Sequence, residues 1–440
     1  MSIKPLRLSI IGLGKLGSPM AAVFAHKGYS VVGLDINPDF VASLAAGKAP
    51  VEETGLQELI DKHRADIRAT TDWSVAVGES DVTFIIVPTP SGPDKFFTNK
   101  YLIDALTKIG EALKAKKDYH LVVVTSTVMP GSTGTVLQEA LEKASGRKVG
   151  PDMGLCYNPE FIALGSVVRD MLFPDLILIG ESDAKAGEML EGIYRSSTNS
   201  NPEFHRMNFV NAELTKISVN TFVTTKISYA NMIADICDRL PEADANVVNA
   251  AVGADSRIGR KYLKSAIGYG GPCFPRDNKA FAALGRKLGA RCDLAEATDH
   301  INDHQLVRLQ GAVEASASAG QAVAILGLSY KPETAVIEAA QGVMLAELLA
   351  DAGYKVSVFD PQAGGNARNA IGKKVKVADS AAEALEGAAV VVVATPWADF
   401  KSLTAADLRS RVVIDPWRVI SPEAAAGASR HVILGKAALK

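Results

Sequence analysis

The sequence predicts an α/β protein, with two Rossmann-like, doubly wound domains joined by a helical central domain with a long connecting helix. Three observations carry this. Short apolar runs alternate with helical patterns near both ends of the chain, as a parallel sheet with crossover helices requires. Residues 211–240 read instead as unbroken helix. The opening pattern then returns near residue 321. A length of 440 residues, at ~150 per domain, gives about three domains. They are expected at 1–205 (the first Rossmann-like domain), 206–305 (central, helical) and 306–440 (the second Rossmann-like domain).

Leu8-Ser9-Ile10-Ile11 is an apolar strand, and Gly12-Leu13-Gly14-Lys15-Leu16-Gly17 a tight glycine turn. Helix follows over 20–27, Gly28 ends it, and 29–34 is a second strand closed by Asp35. Strand-like runs at 82–87 and 121–124 end in Pro88-Thr89-Pro90 and Thr125-Ser126-Thr127. In the central region Leu214, Ile217, Phe222, Ile227, Met232 and Ile236 recur at helix-like intervals. A helix of that length bridges domains or packs against a partner subunit. Then come a strand at 322–326, a turn at Gly327-Leu328, a helix at 342–351 and a strand at 355–359 closed by Asp360. The run 390–394 before Thr395-Pro396 echoes the run before Pro88. The Gly/Ala/Lys-containing tail after Ser421 is expected to be weakly ordered.

Composition narrows the function. At 48% apolar and 22% charged the chain is neither disordered nor fibrous. Lys and Arg number 47 against 49 Asp and Glu, a net charge of −2, which argues against nucleic-acid or membrane-surface binding. No apolar run approaches the ~20 residues of a membrane span. The glycine motif begins too early for a signal peptide, so a cytoplasmic protein is expected. Cys156, Cys237, Cys273 and Cys292 form no CxxC pair. Reduced thiols are expected, not a disulfide scaffold or a structural zinc site.

Gly12, Gly14 and Gly17 form GxGxxG between a strand and a helix. The first permits the turn, the second lets backbone approach a pyrophosphate, and the third lets helix pack on strand. Asp35 can accept from both adenosine ribose hydroxyls and repels a 2′-phosphate, which favours NAD over NADP. Asp360 holds the matching position in the second half, but Gly327-Leu328-Ser329-Tyr330 lacks the three glycines. That half is expected to bind a different nucleotide. In Gly268-Tyr269-Gly270-Gly271-Pro272-Cys273-Phe274-Pro275-Arg276-Asp277 a cysteine sits among Gly and Pro with an aspartate four residues on. Such a thiol belongs on a loop and suits covalent chemistry as thiolate, a form that nearby Arg or Lys favours. His300 and His304, with Asp299 and Asp303, have helical metal-ligand spacing, but no third ligand cluster accompanies them and a solvated helix face is expected.

With these pieces placed, residues 8–417 resemble the UDP-glucose/GDP-mannose dehydrogenase family of nucleotide-sugar 6-dehydrogenases. The resemblance implies an NAD-binding domain, a central domain that dimerises, and a C-terminal domain that binds the nucleotide of the sugar. Gly12, Gly14, Leu16, Gly17 and Asp35 fall on the family's NAD fingerprint, and Thr89 on a cofactor-contacting threonine. Ser126-Thr127-Val128 with Pro130-Gly131 is similar to a box whose threonine helps hold the catalytic water. Asn158-Pro159-Glu160-Phe161 matches a box whose glutamate is implicated in hydrolysis. Ala212-Glu213-Leu214-Thr215-Lys216 with Asn220 matches a helix whose lysine and asparagine sit at the sugar C6. Cys273 falls on the covalent nucleophile and Asp277 on the base or water-holder. Arg257 in Arg257-Ile258-Gly259 falls on an arginine that reaches the sugar from the neighbouring subunit. Lys331 falls on a lysine that contacts the UDP part, and Phe161, Tyr262, Gly270 and Phe274 on the substrate surface.

The implied reaction is an NAD-dependent, four-electron oxidation of the C6 hydroxyl of a UDP-hexose through a Cys273 thiohemiacetal and thioester, in a homodimer. UDP-glucose is the first expected substrate; UDP-N-acetylhexosamines and GDP-mannose are alternatives. Four departures stand out. Leu164 replaces a second glutamate, and Glu338-Ala339-Ala340 lacks an arginine expected near the NAD pyrophosphate. Phe40 replaces a basic residue, and Arg276 a lysine. Two further readings compete: a two-electron β-hydroxyacid dehydrogenase, which needs neither the cysteine loop nor a third domain, and a catalytically degenerate nucleotide-sugar or NAD sensor.

Overall fold

The computed structural model describes residues 6–437. The chain divides into two compact units, one reaching to Ser218 and the other starting at Val219. The first is built on eight strands: β1 (Arg7–Ile11), β2 (Ser30–Leu34), β3 (Ile67–Thr70), β4 (Val82–Ile85), β5 (Leu121–Val124), β6 (Gly154–Tyr157), β7 (Leu176–Glu181) and β8 (Glu203–Met207). They lie in the order β3-β2-β1-β4-β5-β6-β7-β8. Neighbours run parallel except β6 and β7. The register pairs Ile10 with Gly33 on one side and with Phe84 on the other. Strands β4, β5 and β6 are buried along their whole lengths, as strands covered on both faces must be. The order reverses between β1 and β4, so a crevice opens there at the strands' carboxyl ends.

The second unit holds a six-stranded parallel sheet: β9 (Ala322–Leu326), β10 (Lys355–Phe359), β11 (Lys376–Val377), β12 (Val390–Val393), β13 (Val412–Ile414) and β14 (Arg430–Val432), in the order β11-β10-β9-β12-β13-β14. The order matches the first six strands of the other sheet, as the repeat in the sequence predicts. The tail after Ser421 is a correction: it forms a short helix, Pro422–Ala425, and then β14, which pairs with β13. Backbone hydrogen bonds fix this edge, Ser429 N–H to the Arg411 carbonyl at 2.8 Å and Asp415 N–H to the Val432 carbonyl at 2.9 Å. Composition does not register such pairing. Residues 438–440 of the tail lie outside the described residues.

The long helix runs over Phe209–Cys237, 29 residues, and passes through the division at Ser218. Its buried face is largely polar. Lys216, Asn220, Thr221, Thr224, Ser228 and Asn231 are buried, whereas Phe222 is 64% and Ile236 52% exposed. Helical spacing identifies the helix but not which of its faces is polar.

Candidate active site

In the glycine turn each glycine answers to a different constraint. Gly12 has φ +98°, and a Cβ there would stand 2.1 Å from the Ile86 carbonyl oxygen; at Gly17 it would stand 1.7 Å from the Gly12 oxygen. Both positions are closed by backbone. Gly14 is open, since a Cβ there would meet nothing within 4 Å, and that is the surface a pyrophosphate needs. Leu16 then leads into the helix Gly17–His26, whose first N–H groups have no acceptor in the helix. At the end of β2, Asp35 accepts from Leu13 N–H at 2.6 Å and from Asn37 N–H at 2.8 Å. It is only partly buried, leaving carboxylate lone pairs for ribose hydroxyls. These residues fit NAD.

Thr89 and Thr127 follow β4 and β5. Thr89 donates its hydroxyl to the Thr127 carbonyl at 2.7 Å, and Ser126 donates to the Val87 carbonyl at 2.7 Å. The two loops are thereby tied, with Thr127 partly exposed. The loop after Thr127 is fixed by Glu213, a fully buried carboxylate on the long helix. It accepts from the N–H groups of Gly131 at 2.5 Å and Thr133 at 2.7 Å. Burial raises its carboxyl pKa against those bonds. An acidic residue inside an apolar helical stretch was the signal for this anchor, and the motif alone gives it no role.

Glu160 follows β6. Burial pushes its carboxyl up to about 7, against the opposing pull of the Tyr194 hydroxyl and the Lys216 ammonium. Lys216, one turn beyond Glu213 on the long helix, is buried with its ammonium 4.7 Å from the centre of the Phe161 ring. Tyr194, on helix Ala184–Ser197, lies 34 residues from Glu160 in sequence, and no local pattern announces it.

The second unit assembles the other candidates. Cys273 is exposed and caps the helix Phe274–Leu288, with Pro275 in its first turn. Four residues on, Asp277 is 1% exposed. One of its oxygens accepts from Asn220 Nδ2 at 2.7 Å, and the other faces the Arg276 guanidinium at 3.3 Å. A buried carboxylate so paired escapes the cost of an isolated buried charge. The backbone leading to Cys273 is clamped by Asn302, which accepts from Tyr269 N–H at 2.7 Å and donates to the Tyr269 carbonyl at 3.1 Å. Tyr269 donates its hydroxyl to Asp299 at 3.0 Å. Gly270 is buried, and the Phe274 ring meets Tyr262 and Tyr269 edge-on. Tyr262 holds φ +66°, a costly conformation for a residue other than glycine, and is half exposed.

Arg257 is highly exposed and folded onto Asp255, two residues away, with contacts of 3.0 and 2.6 Å. Lys331 is partly buried on the loop after β9. Asp360 is spoken for: it accepts from the N–H groups of Leu328, Ser329, Gln362 and Ala363, the Ser329 hydroxyl and the Trp397 indole. It differs in this from Asp35.

Two mononucleotide-type sheets, one with an intact dinucleotide cradle, and a loop cysteine beside a buried aspartate define the class: a Rossmann-type, NAD-linked oxidoreductase. The chain belongs to the UDP-glucose/GDP-mannose dehydrogenase family. Residues 6–198 match that family's NAD binding domain, 210–304 its central domain and 324–422 its UDP binding domain. It is 39% identical over 422 residues to the UDP-glucose 6-dehydrogenase AglM of Haloferax volcanii, covering 94% of this chain and 97% of that one. It is 32% identical over 446 residues to the UDP-glucose 6-dehydrogenase TuaD of Bacillus subtilis, covering 97% and 93%. A UDP-glucose dehydrogenase from the archaeon Pyrobaculum islandicum superposes with a TM-score of 0.90 at 34% identity, covering 99% of both chains. Among the described residues no helix is long and apolar enough to cross a membrane.

Proposed function

We propose that the protein oxidises the C6 hydroxyl of UDP-glucose to the uronic acid, in the cytoplasm, removing four electrons in two stages. The observation that carries the four-electron reading is Cys273, an exposed thiol at a helix N-terminus beside Asp277 and Asn220. Relatives of similar length named UDP-glucose 6-dehydrogenases support the sugar.

The Gly12–Gly17 turn and Asp35 would hold NAD, which would supply the hydride acceptor for both oxidations. Lys216 and Asn220 stand four residues apart, on one face of one helix. They stabilise the C6 oxygen as negative charge develops on it. The first oxidation leaves an aldehyde. The Cys273 sulfur adds to its carbon, a C–S bond forms, and the oxygen takes the thiol proton. The positive end of the helix Phe274–Leu288 favours an anion at that sulfur. The second oxidation turns the thiohemiacetal into a thioester. Water, with Asp277 and Thr127 as its holders and Glu160 as its proton acceptor, then attacks the carbonyl. The C–S bond breaks, the sulfur keeps the electron pair, and the acid leaves. A β-hydroxyacid oxidation uses none of the Cys273 loop.

The test is NADH formed per UDP-glucose consumed. About two, with a UDP-linked acid as product, is expected for a thioester route. A ratio near one sinks it. Turnover confined to UDP-N-acetylhexosamines or GDP-mannose replaces the sugar and keeps the chemistry.

The working form is proposed to be a homodimer, joined through the apolar side chains that the second unit leaves in solvent. Phe222, Tyr229, Met232 and Ile236 on the long helix are exposed, as is Val247, at 68%, on helix Ala245–Val252. A patch of this kind on a soluble chain marks an interface. Arg257 is proposed to act across it on the partner's substrate. Replacing Ile236 and Phe222 together by glutamate is expected to halve the mass measured by light scattering, towards the 46.4 kDa of one chain, and to cut activity with it. A double variant that keeps the dimer mass rules this face out.

A further inference from the structure

The Tyr194 hydroxyl has two neighbours. It lies 2.5 Å from Asn158 Oδ1 and 3.0 Å from Glu160 Oε1. Asn158 is oriented independently: its Nδ2 donates to the Leu178 carbonyl at 2.9 Å, and its backbone N–H donates to the Val124 carbonyl at 2.8 Å. Only the amide NH2 can donate to Leu178, so Oδ1 is an acceptor. The phenol is fully protonated, since burial and the facing Glu160 push its pKa well above the usual tyrosine range. It therefore has one proton to offer and stands between two acceptors.

A proton count decides the arrangement. With Glu160 ionised, the phenol turns to the carboxylate, and the buried Asn158 Oδ1 is left facing the phenol oxygen with no hydrogen between them. With Glu160 protonated, the carboxyl donates to Tyr194, Tyr194 donates to Asn158, and Asn158 donates to Leu178. The chain is then satisfied from end to end. We propose that Asn158, by drawing the Tyr194 proton to itself, is a positioning residue that keeps Glu160 a carboxylic acid, and that Tyr194 and Asn158 together set the point at which it ionises. When Glu160 loses its proton to solvent, the Tyr194 hydroxyl turns from Asn158 to the carboxylate. The unit is a two-position proton switch with the phenol as its moving part. This rests on the proposed hydrolytic role, in which Glu160 must be ionised to take a proton from water.

The groups acting on Glu160 are the Tyr194 phenol, from helix Ala184–Ser197, and the Lys216 ammonium, from the long helix. Both favour the carboxylate, and burial opposes them. Asn158 adds to burial by competing for the phenol's proton. Asn158→Leu removes that competitor while keeping a γ-branched side chain with the same number of heavy atoms. The protonated form then loses a hydrogen bond that the ionised form never had, so ionisation moves down, by about one pH unit.

Infrared difference spectra of the wild-type enzyme against Glu160→Gln read this directly, through the carboxylic-acid C=O band that only Glu160 contributes. The band is expected to be present at pH 6, to disappear near neutrality, and in Asn158→Leu to disappear about one unit lower. Tyr194→Phe, should Asn158→Leu fold poorly, is expected to shift the band's frequency, because the carboxyl loses its acceptor. No band at pH 6, an unmoved titration in Asn158→Leu or an unshifted band in Tyr194→Phe overturns the proposal. The acid limb of the pH–rate profile for acid formation separates the two readings. If the band moves in Asn158→Leu and the limb does not, the switch stands and the hydrolytic role of Glu160 falls.

Discussion

Cys273→Ser is expected to lower formation of the UDP-linked acid by roughly 10⁴-fold or more, on the scale of losing a covalent nucleophile. The hydroxyl keeps the size of the thiol but is a poor nucleophile at neutral pH, so the aldehyde has nothing to add to it and the second oxidation has no thiohemiacetal to act on. The fold should be indifferent. Cys273 is exposed, and exposed substitutions away from special features stay within about 0.5 kcal/mol. An unchanged melting temperature with acid formation gone is therefore the expected pair. The Asn220–Asp277 hydrogen bond of 2.7 Å does not involve the sulfur, so the loss belongs to the thiol. Acid formed at the wild-type rate would falsify the covalent route and leave hydration of the aldehyde as the path to the second oxidation.

Much of this was legible in the sequence, and the illegible part has a consistent cause. Strands read well because a sheet covered on both faces needs runs such as Leu121–Val124 and Val390–Val393, buried along their whole lengths. The glycine turn read well because its constraints act within a few residues. In the second half the same logic survives but is stretched. A Cβ at Gly327 would stand 2.4 Å from Thr395 N, and one at Gly342 would stand 2.2 Å from the Gly327 oxygen. These repeat the roles of Gly12 and Gly17. The insertion between them hides the relation from any short motif, and the open position held by Gly14 has no counterpart in Gly327-Leu328-Ser329-Tyr330. The Asp360 carboxylate is correspondingly filled by its own loop rather than left open to a ribose. Tyr194 and Asn302 carry no such signal, for the converse reason. Each acts on a segment far away in sequence, and an isolated tyrosine or asparagine carries no spacing to read. Glu213 was in plain view, but its meaning depends on where Gly131 and Thr133 come to lie.

The loop that carries Cys273 exposes the same dependence on distant contacts to experiment. At Gly270 a Cβ would stand 2.3 Å from the Ala339 carbonyl oxygen, a backbone atom that cannot swing aside as a side chain can. The neighbouring Gly271 is fixed from two directions: its N–H donates to the Glu338 carbonyl at 2.9 Å, and a Cβ there would stand 2.5 Å from the Tyr330 ring. Asn302 grips Tyr269 on the other side. With both flanks held, the displacement forced by Gly270→Ala has to pass along the chain to Cys273, three residues on. A shift of ~1 Å at a reacting group costs on the order of 10² in rate. Gly270→Ala is therefore expected to lower kcat for acid formation by about 10²-fold while the protein still folds and binds NAD. The control is Gly311→Ala, in the last turn of helix Asp293–Glu314, where a Cβ meets nothing within 4 Å. It should keep full activity, with a stability change of no more than about 1 kcal/mol, in the direction of alanine's better helix propensity. If Gly270→Ala keeps the wild-type kcat, the loop yields at Ala339, and the placement of Cys273 does not depend on the close approach of these two backbones.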